Sequence, residues 1–249
     1  MFSSDINKKI CVIKQPGGLG DIFYTQKIAQ KLRDSNFEIH WYVLSQYYWI
    51  KDYISGVKWL DKKSEEMYTP INEDQLFSDV MNANFPIASN DFVYLPLMFA
   101  HAIGEESKIM KSKYSLVNMA DDNWQDYFNF KRFHDKEDKL FYDKLGLKDN
   151  QEYCFVSENI GTGKDDAKKI DYNGNLPTVK LSFIDEFTLF DWCKVVENAS
   201  EIHTMDSSIS LLMEKLSLKA NKLFLYTRRP GDFSEIDYLY KKNFKMVDL

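Results

Sequence analysis

A glycine-rich turn near the start of the chain constrains the fold more than any other feature of the sequence. An apolar run at residues 9–14 indicates a buried strand, and it leads into residues 16–21, Pro-Gly-Gly-Leu-Gly-Asp. Apolar residues then recur at helical spacing from residue 21 to residue 33. A strand, a glycine turn and a helix in this order predict the first unit of an α/β domain.

Short apolar strands alternate with helices in two series along the 249 residues. The predicted strands cover residues 9–14, 37–43, 57–60 and 91–97 in the first series, and residues 153–157, 178–183, 202–205, 222–226 and 244–247 in the second. A charged and aromatic stretch, predicted to be helical, separates the two series. We therefore predict an α/β fold with mostly parallel sheets. Its two lobes, residues 1–112 and 151–249, would face each other across a cleft and be joined by a helical connector at residues 113–150.

The charge balance argues against a nucleic-acid partner. The chain has 38 Asp and Glu against 32 Lys and Arg, a formal net charge of −6. Binding to a duplex needs a basic face, and no cluster of Lys and Arg overrides this balance. A small phosphorylated ligand stays compatible with it, because a local pocket can be positive on an acidic protein.

The cysteines and the lengths of the apolar runs indicate the cellular compartment in which the protein is expected. The three cysteines, Cys11, Cys154 and Cys193, are odd in number and widely spaced, which predicts no disulfide framework and favours a reducing environment. The four histidines have no metal-binding spacing. Residues 1–9 are polar, and no apolar run approaches the ~18 residues that a membrane span needs. We expect a cytoplasmic protein without a transmembrane segment, a metal or a cofactor.

The glycine turn has the composition of an anion-binding loop. Gly17, Gly18 and Gly20 lack the Cβ atoms that would keep a ligand from the backbone. The first N–H groups of the following helix favour a negative charge. Asp21 has two interpretations, the N-cap of that helix and a general base directed into the cleft. The pattern is not Gly-x-Gly-x-x-Gly and lacks a following Lys-Ser/Thr pair, so a nucleoside-triphosphate P-loop is excluded.

A second strand-to-helix turn lies in the C-terminal half, at residues 203–208, His-Thr-Met-Asp-Ser-Ser. Asp206, Ser207 and Ser208 are strong N-cap types, and with the helix N–H groups they could hold a diphosphate. A structural helix cap is the alternative. The position at the carboxyl end of a strand favours binding, because ligands of open α/β sheets bind at that edge.

Taken together, the two turns resemble those of the glycosyltransferase-B superfamily. Residues 14–21 look like the opening of the ADP-heptose:lipopolysaccharide heptosyltransferases, and Gly-Gly-Leu-Gly-Asp is also similar to the opening loop of glycogen and starch synthases. Residues 188–208 look like the heptosyltransferase segment that ends in Asp-Ser/Thr-Gly-x-x-His. The resemblance implies two Rossmann-like lobes of the GT-B type. It also implies an inverting, metal-independent transfer of a sugar from a nucleoside-diphosphate sugar to a glycan, lipid-linked or small-molecule hydroxyl acceptor.

The resemblance further implies roles for individual residues. Asp21 would deprotonate the acceptor hydroxyl, and the turn at 206–208 would hold the donor diphosphate. A lysine after the first strand of the second lobe would neutralise the leaving phosphate, and three candidates are open: Lys164, Lys168 and Lys169.

Other polar residues lie near the carboxyl ends of predicted strands. Glu158 and Asn159 are candidate donor contacts. His101 is either an acceptor contact or a structural histidine. His40 alternates with apolar neighbours and is predicted to face solvent. The aromatic residues from 124 to 130 have helical spacing and predict core rather than a ligand platform.

Two further functions stay open beside the transferase. One is a non-catalytic sugar-nucleotide-binding or scaffold protein on the same fold, favoured because Ser208 and Leu211 or Leu212 stand where the family pattern has glycine and histidine. The other is a sugar-nucleotide epimerase. A dinucleotide dehydrogenase is disfavoured, because the second strand ends in Tyr-Val-Leu-Ser at residues 42–45 without the acidic residue that binds the ribose.

Overall fold

The chain divides into two compact units, Met1–Lys131 and Arg132–Leu249. The computed structural model describes residues 9–61, 87–88, 92–102, 109–158, 169–227 and 236–248, with only the backbone described at 87, 88, 101, 102 and 109. Within these residues each unit contains a five-stranded sheet. None of the helices in these ranges combines the length and the apolarity that crossing a bilayer requires.

The sheet of the N-terminal unit has the strand order β3-β2-β1-β5-β4. Its strands are β1 (Lys9–Lys14), β2 (Phe37–Tyr42), β3 (Lys58–Leu60), β4 (Ile87–Ala88) and β5 (Phe92–Leu95). All pairings are parallel except that of β4 with β5, which is antiparallel. Parallel strands bury both faces, which explains why β1 is a continuous apolar run rather than an alternating one.

The prediction that His40 faces solvent is wrong. His40 lies in the interior strand β2 and is 1% exposed. Its Nε2 lies 2.7 Å from Oε1 of Glu38, two residues earlier on the same strand. The alternation of polar and apolar residues predicted a one-sided strand, whereas both faces of this parallel sheet are covered.

The helix predicted at residues 21–33 is two helices, α1 (Leu19–Tyr24) and α2 (Gln26–Asp34). Thr25 separates them, and its hydroxyl donates to the carbonyl of Asp21 at 2.7 Å. Such a bond from a threonine to the carbonyl four residues earlier bends a helix.

Further helices of this unit follow the strands. They are two 3₁₀ helices, Ser45–Asp52 and Leu97–Ala102, and the α-helices α3 (Ile109–Ser115) and α4 (Trp124–Tyr127). The aromatic stripe near α4 is core, as predicted: Trp124 is 1% exposed, and the ring of Phe128 stacks on that of Phe23 with centroids 4.4 Å apart. The boundary between the two units, after Lys131, falls inside the stretch that the sequence predicts as a connector.

The C-terminal unit repeats the architecture with the strand order β10-β9-β8-β6-β7, all paired in parallel among the described residues. The strands are β6 (Cys154–Ser157), β7 (Thr178–Lys180), β8 (Glu201–Met205), β9 (Lys222–Tyr226) and β10 (Lys245–Val247). The helices are α5 (His134–Asp138), a π-helix (Lys139–Lys144), a 3₁₀ helix (Leu189–Trp192), α6 (Cys193–Asn198), α7 (Ser208–Met213) and a 3₁₀ helix (Asp237–Leu239). The prediction of an α/β fold with mostly parallel sheets is therefore confirmed.

Arg132 anchors the first helix of the C-terminal unit. Its guanidinium donates to both carboxylate oxygens of Glu137 and, at 2.9 and 2.8 Å, to those of Glu197. The bond to Glu137 is the main cause that raises the pKa of Arg132 above its ordinary value. Because Glu137 is in α5 and Glu197 in α6, one cation holds these two helices together.

Candidate functional site

The glycine turn links the carboxyl end of β1 to α1 and is fixed at both ends. Gly18 has φ +73°, a backbone conformation that glycine adopts without strain, and it occupies the N-cap position of α1. The carbonyl of Gly17 accepts a hydrogen bond from Nε2 of Gln15 at 2.8 Å. The backbone N–H of Leu44 donates to the carbonyl of Pro16 at 2.8 Å, which ties the turn to the chain after β2.

Asp21 is the third residue of α1, so the interpretation of Asp21 as the helix N-cap is wrong. The helix begins two residues before Asp21 because the backbone becomes helical directly after Gly18. The carboxylate of Asp21 folds back over that glycine, to the point that a Cβ atom on Gly18 would lie 2.1 Å from Oδ2. The Asp21 side chain is 29% exposed, which leaves it accessible to a ligand.

Lys113, on α3, completes this constellation, and the sequence interpretation missed it. Its side chain is 3% exposed, and its Nζ lies 3.2 Å from Oδ1 of Asp21. The same Nζ donates to Oε1 of Gln15 at 2.7 Å and to the carbonyl of Leu97 at 3.2 Å. Lysine is rarely buried unless it is paired, and here the ammonium has two hydrogen-bond acceptors and one carboxylate as its ion-pair partner. Its partner Gln15 is 98 residues away in the chain, so no local pattern could have indicated the contact.

The second predicted turn lies between β8 and α7 in the C-terminal unit. Ser207 is the N-cap of α7, and its backbone N–H donates to Oγ of Ser210 at 3.0 Å. Asp206 accepts a hydrogen bond from the hydroxyl of Tyr240 at 2.6 Å, and that hydroxyl also lies 2.8 Å from Oγ of Ser210. The cap is therefore made by the two serines, while Tyr240 holds the carboxylate.

Two solved structures resemble the whole chain in fold. The glycosyl transferase of family 9 from Veillonella parvula DSM 2008 has a TM-score of 0.52 and 12% identity, covering 97% of this chain and 86% of its own. The ADP-heptose lipopolysaccharide heptosyltransferase II of E. coli has a TM-score of 0.53 and 11% identity, covering 96% of this chain and 90% of its own. The chain has the fold of a B-type glycosyltransferase. The resemblance indicated by the two turn motifs is thereby confirmed at the level of fold.

No protein-family model matches the sequence, and a search of curated proteins finds no similar one. A B-type glycosyltransferase fold does not itself specify a reaction, because function depends on the groups placed on a fold. The chemistry therefore depends on the groups that the two turns present.

His203 is a structural residue of this B-type fold rather than a free ligand-binding group. It is 7% exposed, with Nδ1 2.6 Å from the hydroxyl of Tyr226 and Nε2 2.9 Å from Oε1 of Glu201. Its ring stacks on Phe224 with centroids 4.4 Å apart. Burial raises the pKa of Tyr226 above its ordinary value.

Glu158 follows β6 of the B-type fold and is engaged on both carboxylate oxygens. Oε1 accepts the backbone N–H of Ile170 at 2.9 Å, and Oε2 lies 3.0 Å from Nζ of Lys180. Glu158 therefore joins the backbone at Ile170 to the side chain of Lys180 at the end of β7. A donor contact by Glu158 would have to compete with these two bonds.

Several candidate residues lie outside the described part of the chain: Asn159, Lys164 and Lys168. His101 has a described backbone, in the 3₁₀ helix after β5, but its side chain is outside the description. Lys169 is exposed. Within the described ranges, no three or more His, Cys, Asp or Glu side chains are grouped so that they could hold a metal ion.

Proposed function

We propose that the chain is a glycosyltransferase that moves a sugar from a nucleoside-diphosphate sugar to a hydroxyl acceptor, with inversion and without a metal ion. The proposal depends on the position and the contacts of Asp21. It is a partly exposed carboxylate at the carboxyl end of a parallel strand, folded over a glycine and paired through one oxygen with a buried lysine. That is the arrangement of an oriented base rather than of a surface charge.

In the proposed reaction, the acceptor oxygen attacks the anomeric carbon of the donor. The bond from that carbon to the diphosphate oxygen breaks, and the diphosphate leaves with the electron pair. The acceptor proton passes to Asp21, which acts as general base. Because Lys113 engages Oδ1, the second carboxylate oxygen is the one assigned to receive the proton.

We assign the donor diphosphate to the turn at residues 206–208. Ser207, Ser208 and the first N–H groups of α7 supply donors, whereas the carboxylate of Asp206 is an acceptor only. Asp206 therefore suits a donor hydroxyl, and Tyr240 fixes its orientation. Gly17, Gly18 and Gly20 leave the backbone of the N-terminal turn open to phosphate or sugar oxygens. A lysine among Lys164, Lys168 and Lys169 is assigned to the leaving phosphate.

A non-catalytic sugar-nucleotide-binding protein is the second candidate function. The family pattern has glycine and histidine after Asp-Ser, and here Ser208 and Leu211 or Leu212 stand near those positions. Leu211 is 4% exposed and Leu212 is fully buried, so both belong to the core of the unit. The turn thus lacks the histidine of that pattern, which favours binding without turnover.

A two-step screen tests both candidates. Nucleoside diphosphates that bind the native state raise its melting temperature by mass action, with about 2.7 kcal/mol of stabilisation at 100 times the dissociation constant. Each stabilising nucleotide is then supplied as a range of nucleotide sugars, and release of the diphosphate is measured. Stabilisation with turnover supports the transferase, and stabilisation without turnover supports the binder. No stabilisation by any nucleotide contradicts both.

A further inference from the structure

The buried ammonium of Lys113 connects three separate elements of the N-terminal unit. Its hydrogen-bond acceptors are Gln15 after β1 and the carbonyl of Leu97 after β5, and its ion-pair partner is Asp21 in α1. These are the elements that form the carboxyl end of the sheet around the glycine turn. A single buried cation thus fixes where the turn, the base and the neighbouring strand end lie.

We propose that Lys113 is the positioning residue of the catalytic base, an inference that rests on the proposed transferase function. Lys113 need not touch substrate. Its Nζ lies 3.2 Å from Oδ1 of Asp21 and so restrains the carboxylate that folds over Gly18. Because a displacement of about 1 Å can cost roughly 100-fold in rate, this restraint matters for proton transfer.

The same ammonium also restrains the glycine turn. Gln15 accepts from Lys113 through Oε1 and donates through Nε2 to the carbonyl of Gly17. The amide can make both bonds at once because its oxygen accepts and its nitrogen donates. Loss of Lys113 therefore releases the base and the turn together.

Lys27 provides a matched control in the same unit. It is also a buried lysine that is hydrogen-bonded and paired with a carboxylate. Its acceptors are the carbonyl of Ala120 at 2.9 Å, the carbonyl of Asp122 at 2.6 Å and Oδ1 of Asp122 at 2.8 Å. None of its acceptors belongs to the glycine turn. A variant at Lys27 therefore reports the cost of removing a buried, paired lysine without disturbing Asp21.

The test compares Lys113→Met with Lys27→Met, in full-length protein and with the donor identified by the screen. We expect both variants to lower the melting temperature by several degrees. Only Lys113→Met should lower kcat, by roughly 100-fold. In an Asp21→Asn background, Lys113→Met should cause no further loss of kcat. Wild-type kcat in Lys113→Met, or an equal loss in Lys27→Met, overturns the proposal.

Two further measurements test the proposal if Lys113→Met does not fold or if the wild type has no transferase activity. If Lys113→Met does not fold, the variant Gln15→Leu takes its place. It removes one acceptor of Lys113 and the bond to Gly17, so kcat should fall by about fivefold. An unchanged kcat counts against the proposal.

If the wild type transfers no sugar, the proposed transferase function fails, but the interaction of Asp21 with Lys113 can still be tested. The melting temperatures of Asp21→Asn, Lys113→Met and the double variant then decide whether the two side chains are energetically coupled. Coupling predicts a double-variant loss well below the sum of the single losses, and additive losses contradict it.

Discussion

Gly18 and Asp21 are coupled so closely that a methyl group on the first would displace the carboxylate of the second. A Cβ atom on Gly18 would lie 2.1 Å from Oδ2 of Asp21, far inside van der Waals contact. The helix start and the carboxylate orientation therefore depend on each other. This contact gives the glycine turn a role besides that of leaving room for a ligand.

Gly18→Ala is expected to reduce activity far more than Gly17→Ala. At Gly18 the new Cβ displaces Asp21, and the positive φ adds strain on the order of 1–3 kcal/mol. A Cβ on Gly17 would meet only Cδ1 of Leu44 at 3.7 Å, an ordinary contact. Steady-state kinetics should show a loss of kcat of roughly 100-fold for Gly18→Ala alone. Equal activity of the two variants would contradict the coupling.

Tyr240→Phe is expected to weaken donor binding without unfolding the protein. The change removes the hydroxyl that donates to Asp206 at 2.6 Å, so that the carboxylate loses this hydrogen bond. A loss of about 1 kcal/mol corresponds to roughly a fivefold higher donor dissociation constant. Tyr153→Phe is the control, because the hydroxyl of Tyr153 bonds the carbonyl of Val195 instead of the turn. Donor affinity equal to the wild type in Tyr240→Phe would rule out a donor site at Asp206.

The local elements could be predicted from the sequence because their signals are local. The apolar runs gave β1 (Lys9–Lys14) and β9 (Lys222–Tyr226) to the residue. Thr188 and Asp191 have the sequence spacing of a helix cap, and in the structure the backbone N–H of Thr188 donates to Oδ2 of Asp191 at 2.7 Å, at the start of the 3₁₀ helix. Periodicity and capping chemistry act within a few residues, so one sequence contains them.

Features that depend on distant partners could not be predicted. Lys113 is a lysine in a polar stretch, and only Gln15 and Asp21, far away in the chain, explain why it is buried. The break at Thr25 is local, but it accompanies a side-chain bond to the carbonyl of Asp21, and apolar spacing gives no signal for such a bond. The sequence therefore indicated Asp21 as a candidate base but not Lys113, the buried lysine paired with it.

Glu137→Gln is expected to destabilise the C-terminal unit by about 3 kcal/mol, because it leaves Arg132 without one of its two carboxylate partners in a largely buried network. The side chain of Glu137 is 1% exposed. Lys139→Met is the matched control, since it breaks an exposed pair with Glu186 and should change stability little. Urea unfolding of both variants measures the difference. Equal stabilities would mean that the Arg132 network does not hold α5 to α6.

The buried thiols should make the protein less stable at high pH. Burial raises the pKa of Cys11 and of Cys154 from 9.0 to about 12. Between these values the unfolded chain loses the thiol protons and the native protein keeps them, so stability is full below pH 9 and falls as the pH rises. Above pH 9, each thiol lowers the free energy of unfolding by up to about 1.4 kcal/mol per pH unit.

Denaturant unfolding between pH 8 and pH 11 checks this pH dependence. Cys11→Ala should show a shallower fall of stability with pH than the wild type. A slope identical to that of the wild type would contradict the assignment. The native protein should also leave its three buried cysteines unreacted with a thiol reagent until it is unfolded.

The most direct test of the account is the turnover of Asp21→Asn with the donor that the nucleotide screen identifies. The substitution keeps the size of the side chain but removes its ability to take a proton. The account predicts a loss of kcat of roughly 10²–10⁴-fold with donor affinity unchanged. Turnover by Asp21→Asn at the wild-type rate would contradict the role of Asp21 as the base.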